Sequence, residues 1–312
     1  MMNNLIFLVG LPGSGKSTYA QKLVNDDDNT KWISSDAIRE QMWGDANDQQ
    51  NPSAVFDAMF DLTIEALNNG YDVIYDATNL VAKTRTNTLA QLRQHAKWDF
   101  IATCVFISCS ITECKERQLG RDRQVPDEVI DRMVRRFNAP WYNEGWDDII
   151  IVDCGPRQNL YKEHMRLRET PHDNPHHTTE SIGAHCSMAL AEFISSRPDA
   201  APNGGVVDVL KEAIYCHDIG KRKTKVFHDT KDNPTEIAHY YDHQNVGAYL
   251  WLTGSSRDNW ETRDALLIGA LIQWHMQPYF VDDIVEWAVK KGFGMDFAKW
   301  LCAIHNADRA AH

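Results

Sequence analysis

The stretch that most limits what this chain can fold into is "LIFLVGLPGSGKST", residues 5 to 18. An apolar run, Leu5 to Val9, passes directly into a glycine-rich turn and then into Lys16, Ser17 and Thr18. The run reads as a buried strand. Gly10, Gly15, Lys16 and Ser17 match the spacing G-x-x-x-x-G-K-[ST] of a loop that joins a strand to a helix. Glycines let successive backbone N–H groups curl around an anion, and the helix N-terminus adds its dipole. Lys16 is expected to reach the β- and γ-phosphates of an NTP and Ser17 its Mg²⁺, with Gly13, Ser14 and Thr18 completing the cradle.

The rest of the first half fits a strand–loop–helix start. "KWISSD", "YDVIYDATN", "DFIATCVFISC" and "DDIIIVDC" read as strands, and "NPSAVFDAMFDLTIEALNNG" reads as an amphipathic helix. Strands alternating with helices predict an α/β fold, a parallel sheet with helices on both faces. After Cys154 the β-branched runs stop. From Ser181 the periodicity is helical, broken at "SSRPDAAPNGG" and near Asn233-Pro234, which predicts an all-α second domain. The expected division is a first domain over 1–158, a linker and entry loop over 159–180, and a second domain over 181–312. A length of 312 residues already favours two cores over one.

Composition narrows the setting. No apolar run approaches the roughly 20 residues needed to span a bilayer, and the N-terminus has no basic region ahead of its apolar run. The seven cysteines include no C-x-x-C pair, which points to a reducing cytoplasm and away from a disulfide framework. The net charge of −12 means that a polyanion must be met by local basic patches and not by the global field.

Beyond the phosphate cradle, "SSDAIRE" places Asp36 and Arg39 three residues apart on one helical face. A carboxylate there can accept a proton from an attacking hydroxyl while the arginine holds an acceptor phosphate; a helix cap with a surface ion pair is the plainer alternative. "YDATNL" ends a strand with Asp76, Thr78 and Asn79 at the sheet edge where ligands bind in such folds, and these three are expected to join Arg39 in holding the acceptor. Arg117, Arg121 and Arg123 precede a Val-Pro break, as arginines of a lid over the transferring phosphoryl group would.

In the second half, polar residues fall on apolar helical faces. His217 follows Ile214 by three and Leu210 by seven, His275 follows Leu271 by four and Ile268 by seven, and Asp308 follows Ile304 by four and Leu301 by seven. His185 lies between Ile182 and Ala189, and His243 precedes Val246 and Leu250. One inward histidine is ordinary core. Five inward groups on separate helices, each costing on the order of 1–3 kcal/mol if left without a partner, favour a shared cation. A His/Asp set without cysteine suits Mn, Fe, Co, Ni or Zn. The basic run Lys221, Arg222, Lys223 and Lys225 beside His217-Asp218 is either a lip for a nucleic-acid strand or a solvated loop. His172, His176 and His177 fall in the entry loop, and His239 and His305 rival His243 as inward groups.

The motifs of the first half resemble the P-loop polynucleotide kinase family, on the phosphate loop, Asp36-x-x-Arg39, the Asp76–Asn79 strand end and the lid arginines. The resemblance implies Asp36 as general base on a 5′-hydroxyl, Arg39 on the acceptor's phosphate and Arg121 on the donor's. The order His185, His217-Asp218, Asp308, with "HDIGK", "DHQNVGA" and "WH", resembles the HD phosphohydrolase superfamily. That implies one metal on His185, His217, Asp218 and Asp308. His243, His275 and Lys221 would serve a second metal or the scissile phosphate. Together the two resemblances imply an end-healing enzyme: NTP-dependent phosphorylation of RNA or DNA 5′-OH ends, and removal of a 2′,3′-cyclic or terminal phosphate, followed by a partner ligase. A nucleoside or nucleotide kinase fused to an HD nucleotidase is one rival, and a nucleotide-sensing module is another.

Overall fold

The structure is a computed structural model that describes residues 2–46, 48, 50–120, 124–175, 179–196 and 205–311. Arg121, Arg123, His176 and His177 lie outside the described residues. The chain divides into two compact units, one of residues 1–133 and 140–156 and the other of residues 134–139 and 157–312.

The first unit is built on five parallel strands, β1 (Asn3–Val9), β2 (Thr30–Ser34), β3 (Asp72–Asp76), β4 (Phe100–Ser108) and β5 (Asp148–Asp153), in the order β2-β3-β1-β4-β5. The central β1 pairs with both β3 and β4, and Leu5, Leu8 and Val9 are fully buried. Burial on both faces explains why β1 reads as an unbroken apolar run and not as an alternating one. The helices are α1 (Lys16–Asp26), α2 (Ser35–Trp43), α3 (Pro52–Asn68), α4 (Ala82–His95) and α5 (Ile111–Glu116), with α6 (Asp127–Arg135) belonging to this unit up to residue 133. The sheet's carboxyl edge brings together the turn after β1, the start of α2 and the end of β3, the edge where ligands bind in folds of this kind.

The second unit is mainly helical: α7 (Leu160–Arg168), α8 (Ile182–Ser195), α9 (Val206–Cys216), α10 (Lys221–Thr224), α11 (His243–Leu252), α12 (Thr262–Trp274), α13 (Ile284–Lys290) and α14 (Met295–Ala310). It is not all-α. The antiparallel pair β6 (Lys225–His228) and β7 (Pro234–Tyr240) forms a hairpin. Its turn is closed by Asp229, whose carboxylate accepts from the Lys231 and Asn233 backbones. A four-residue strand beginning in a lysine run carries too little alternation to stand out in the sequence. Residues 159–180, expected as linker and loop, include α7. The Asn159 side chain caps it by accepting from the Lys162 N–H at 2.9 Å, and Leu160, His164 and Leu167 are buried. Its charged residues, among them Lys162, Glu163, Arg166 and Arg168, mask that apolar stripe. No helix among the described residues is long and apolar enough to cross a membrane.

Candidate active sites

The turn between β1 and α1 is held by conformation and by packing. Gly13 and Gly15 have φ of 81° and 102°, a region costly for other residues. A Cβ on Gly13 would lie 2.5 Å from the Cys114 carbonyl oxygen, so the loop also requires glycine sterically. The Gly10 N–H donates to the Thr78 carbonyl at 3.1 Å, tying this turn to the end of β3. A cleft of about 710 Å³ opens here, lined by Gly13, Lys16, Ser17, Asp36, Arg39 and Asp76 among others.

Within it the Lys16 ammonium donates to the Leu11 carbonyl at 2.8 Å, and Lys16 is largely buried. Asp76 accepts at Oδ2 from Ser17 Oγ at 3.3 Å and from Trp32 Nε1 at 3.1 Å. Burial raises the Asp76 pKa above the usual carboxylate range, although Lys16 and the Trp32 hydrogen bond pull it down. Asp76 therefore lies beside Ser17, the loop residue expected to meet Mg²⁺. The start of α2 lines the cleft with Asp36 and Arg39: Arg39 Nη1 donates to Asp36 Oδ1 at 3.1 Å and to the Ser35 carbonyl. The Arg39 side chain is 8% exposed and that of Asp36 is 54% exposed, so the carboxylate meets solvent from a fixed guanidinium. Thr78 lines the cleft. Asn79 does not; it is buried in the left-handed region at φ 49°, and its Nδ2 donates to the Leu8 carbonyl, bracing β1.

Sequence reading misses what holds Asn79. The fully buried Arg85 donates to the Asn79 carbonyl at 2.9 Å and grips both carboxylate oxygens of Glu144. Arg85 precedes Leu89 and Leu92 by four and seven, the same inward phasing that marks the histidines of the second half. Arg117 bonds to Glu113 and to the Gly13 carbonyl at 3.3 Å, beside the phosphate loop.

In the second unit the structure brings six side chains to one buried centre. His185 comes from α8 and Asp308 from the last turn of α14. His217 caps α9 and is followed by Asp218; His243 opens α11; His275 caps α12. His217 and His275 sit at helix C-termini, where the helix dipole favours positive charge. Their Nδ1 atoms, and that of His243, contact the carbonyls of Ile214, Ile272 and Tyr240 at 2.7, 2.7 and 2.8 Å. Each contact assigns the ring proton to Nδ1 and turns Nε2 inward.

Asp218 joins two groups of donors. Its Oδ2 lies 3.2 Å from His217 Nε2 and 3.8 Å from His185 Nε2, and these histidines are 3.5 and 2.8 Å from Asp308 Oδ1. Its Oδ1 lies 3.3 Å from His243 Nε2 and 3.8 Å from His275 Nε2. Lys221 Nζ adds a 2.6 Å contact to Oδ2. Burial opposes charge on Asp218, yet His217 and Lys221 hold its pKa well below the usual carboxylate range. Burial also opposes charge on His217, but Asp218 outweighs it and raises the imidazole pKa. For His275 burial prevails and the pKa falls to about 3, so this ring is a neutral donor. Of the two buried carboxylates, Asp218 meets the Lys221 ammonium at Oδ2, and both face imidazoles. His217 Nε2 and Asp218 Oδ2 make no well-aligned hydrogen bond despite their closeness. Buried donor atoms left unaligned with one another are what a divalent cation would take up.

The rivals lie elsewhere. His239 stacks on Tyr241 and His305 packs edge-on to Tyr279. His172, expected in an entry loop, is buried with its ring 5.5 Å from that of His185. Cys186 also lies within reach of His217 and Asp218, but burial pushes its thiol up to about 11 and keeps it neutral. The basic run is largely engaged inside the unit. Arg222 pairs with the buried Glu163 at 3.0 Å and Lys225 with Asp173 at 2.6 Å, so these two are structural cations and not an open lip.

Residues 5–140, which carry the phosphate loop, Asp36–Arg39 and Asp76–Asn79, match the family model described as an AAA domain. An L-seryl-tRNA(Sec) kinase of Methanococcus maripaludis is 27% identical over 149 residues, 46% of this chain and 56% of that protein. The chain thus spans about half the length of the curated relative it matches. Among solved structures, a chain of the Pnkp1/Rnl/Hen1 RNA repair complex is similar at 23% identity and TM-score 0.36, over 43% of this chain and 44% of its own. A fungal RNA kinase is similar at 15% identity and TM-score 0.38, over 69% and 96%. The five-stranded parallel sheet and the match over residues 5–140 are consistent with a P-loop kinase fold for this segment.

Proposed function

We propose that this chain heals broken nucleic-acid ends, phosphorylating 5′-OH termini with its first unit and removing terminal or cyclic phosphate with its second. The observation that carries the kinase half is the pairing of Asp36 and Arg39 in the same cleft as Lys16 and Ser17. In this reading the phosphate loop and Lys16 hold the NTP, and Ser17 with Asp76 holds its Mg²⁺. Arg39 grips the acceptor phosphate and Asp36 takes the proton of the attacking hydroxyl. Asp76 is thereby moved from the acceptor side, where sequence reading expects it, to the metal side. Arg117 joins the donor site through its contact with the Gly13 carbonyl. The seryl-tRNA kinase likeness favours an RNA-linked acceptor over a free nucleoside.

In the second unit His185, His217, Asp218 and Asp308 would hold a transition metal, with His243 and His275 serving a second cation or the scissile phosphate. A bound cation supplies Lewis acidity toward a phosphoryl oxygen and acidifies water. The protein's own part is to hold Nε2 atoms and carboxylates toward one point and to place Lys221 beside it. This arrangement supports the reading of the unit as an HD phosphohydrolase. The products, a 5′-phosphate and a free 3′-OH, are substrates for a ligase.

The test is an end-labelled RNA carrying a 5′-OH and a 2′,3′-cyclic phosphate. Asp36→Ala is expected to cost about 10²–10⁴-fold in 5′ phosphorylation while leaving 3′ healing intact, and Asp218→Ala to do the reverse. Loss of both activities in either variant, or turnover of free nucleosides in place of RNA, would sink the proposal.

A further inference from the structure

Every histidine at this centre whose Nδ1 partner is described above is oriented by a backbone carbonyl. Asp308 is oriented differently. Its Oδ1 faces His185 and His217, while its Oδ2 accepts a hydrogen bond from the Tyr279 hydroxyl at 2.8 Å. Tyr279 closes a single 3₁₀ turn, Gln277–Tyr279, that begins two residues after His275. Pro278 stiffens this turn by fixing φ, and the Tyr279 N–H donates to the Met276 carbonyl at 3.1 Å. His305 packs edge-on to the phenol, ring centroids 4.4 Å apart, limiting its rotation from the α14 side. One short segment therefore presents His275 to Asp218 Oδ1 and a hydroxyl to Asp308 Oδ2, at opposite ends of the centre.

A carboxylate on the last turn of a helix has a freely turning χ2 unless something holds its second oxygen. If it turned, Oδ1 would leave the 2.8 Å contact with His185 Nε2 and the donor set would lose a corner. A phenol is a hydroxyl donor across the physiological range, and it leaves the facing oxygen available. Partners of this kind, behind a ligand and not on the metal, typically alter metal affinity by about 10- to 100-fold when removed.

We propose that Tyr279 is a positioning residue that fixes Asp308 for cation binding, through the hydroxyl on Oδ2. The proposal rests on the reading of the His/Asp centre as a cation site. Tyr279→Phe keeps the ring and its contact with His305 and deletes only the donor. Phe280→Leu alters the neighbouring aromatic, which is 74% exposed, and serves as the control. Affinity for Co²⁺ and Mn²⁺ would be measured on the full chain by competition with a chromogenic chelator, together with the visible spectrum of the Co²⁺ form. Tyr279→Phe is expected to bind about 10- to 100-fold more weakly, with a changed Co²⁺ spectrum. Its circular dichroism and 5′-kinase activity should be unchanged, and Phe280→Leu should match the wild type. Equal affinity and an unchanged Co²⁺ spectrum for Tyr279→Phe would overturn the proposal and leave the cation reading standing. A wild-type chain that takes up neither ion would overturn both.

Discussion

At the scale of single residues, inward phasing is the property that makes a buried site readable. A polar side chain three, four or seven positions from helical apolar ones shares their face, and this reaches His185, His217, His275 and Asp308. It reaches Arg85 by the same rule, yet an arginine on a helix reads as surface until Glu144 is seen beside it. Tyr279 had no such signal, because a 3₁₀ turn after a proline has no face to be in phase with. Glu163 was hidden too, although it organises Arg222 and Arg166 at 3.0 and 2.8 Å. Burial works against the charged Glu163, but the Arg222 hydrogen bond and charge prevail and lower its pKa below the usual value. A depressed folded pKa means that the unfolded chain takes up the proton first. The stabilisation is therefore complete above the unfolded value of about 4.3 and is lost as pH falls through the lower folded value. Glu163→Gln is expected to melt below the wild type at pH 7, with the gap closing as pH drops below about 4. A gap that is constant across this range in calorimetric scans would show that charge is not what Glu163 contributes.

At the scale of elements, the sheet was legible and the second unit only partly so. Five parallel strands follow from five apolar or half-apolar runs separated by helical ones. The β6–β7 hairpin and α7 do not follow, since four residues are too few to show alternation and a charged exposed face hides a three-residue stripe. The joint between α10 and α11 shows why "HDIGK" carries a glycine. Gly220 has an ordinary φ of −76°, so no backbone strain requires it. Space does: a Cβ there would lie 2.0 Å from the His243 carbonyl oxygen and 2.7 Å from the Gly247 nitrogen. Both are backbone atoms and cannot turn aside. Gly220→Ala is expected to lower the stability of the second unit by about 1–3 kcal/mol, the usual cost of overpacking, and to displace His243 from Asp218. Denaturant titration would read the first effect and metal affinity the second. A variant as stable as the wild type would mean that α11 is free to shift.

At the scale of the whole molecule, each of the two compact units holds one of the two proposed sites. Ligands that bind only the folded state stabilise it by mass action, about 2.7 kcal/mol at a hundredfold excess over Kd. A nucleotide with Mg²⁺ is expected to protect amides of the first unit from hydrogen exchange, and Mn²⁺ or Co²⁺ those of the second. A chelator selective for transition metals should reverse only the second effect. Protection that crosses over from one unit to the other would contradict the assignment of one ligand to each. The centre of the second unit has a further consequence. Its donors are strewn along the chain from His185 to Asp308, so a cation seated there works as a clasp on nearly the whole of that unit. It closes loops that would otherwise have to find one another, and the chain unfastened by a chelator should be cut by proteases in the stretches between the donors long before the first unit is touched.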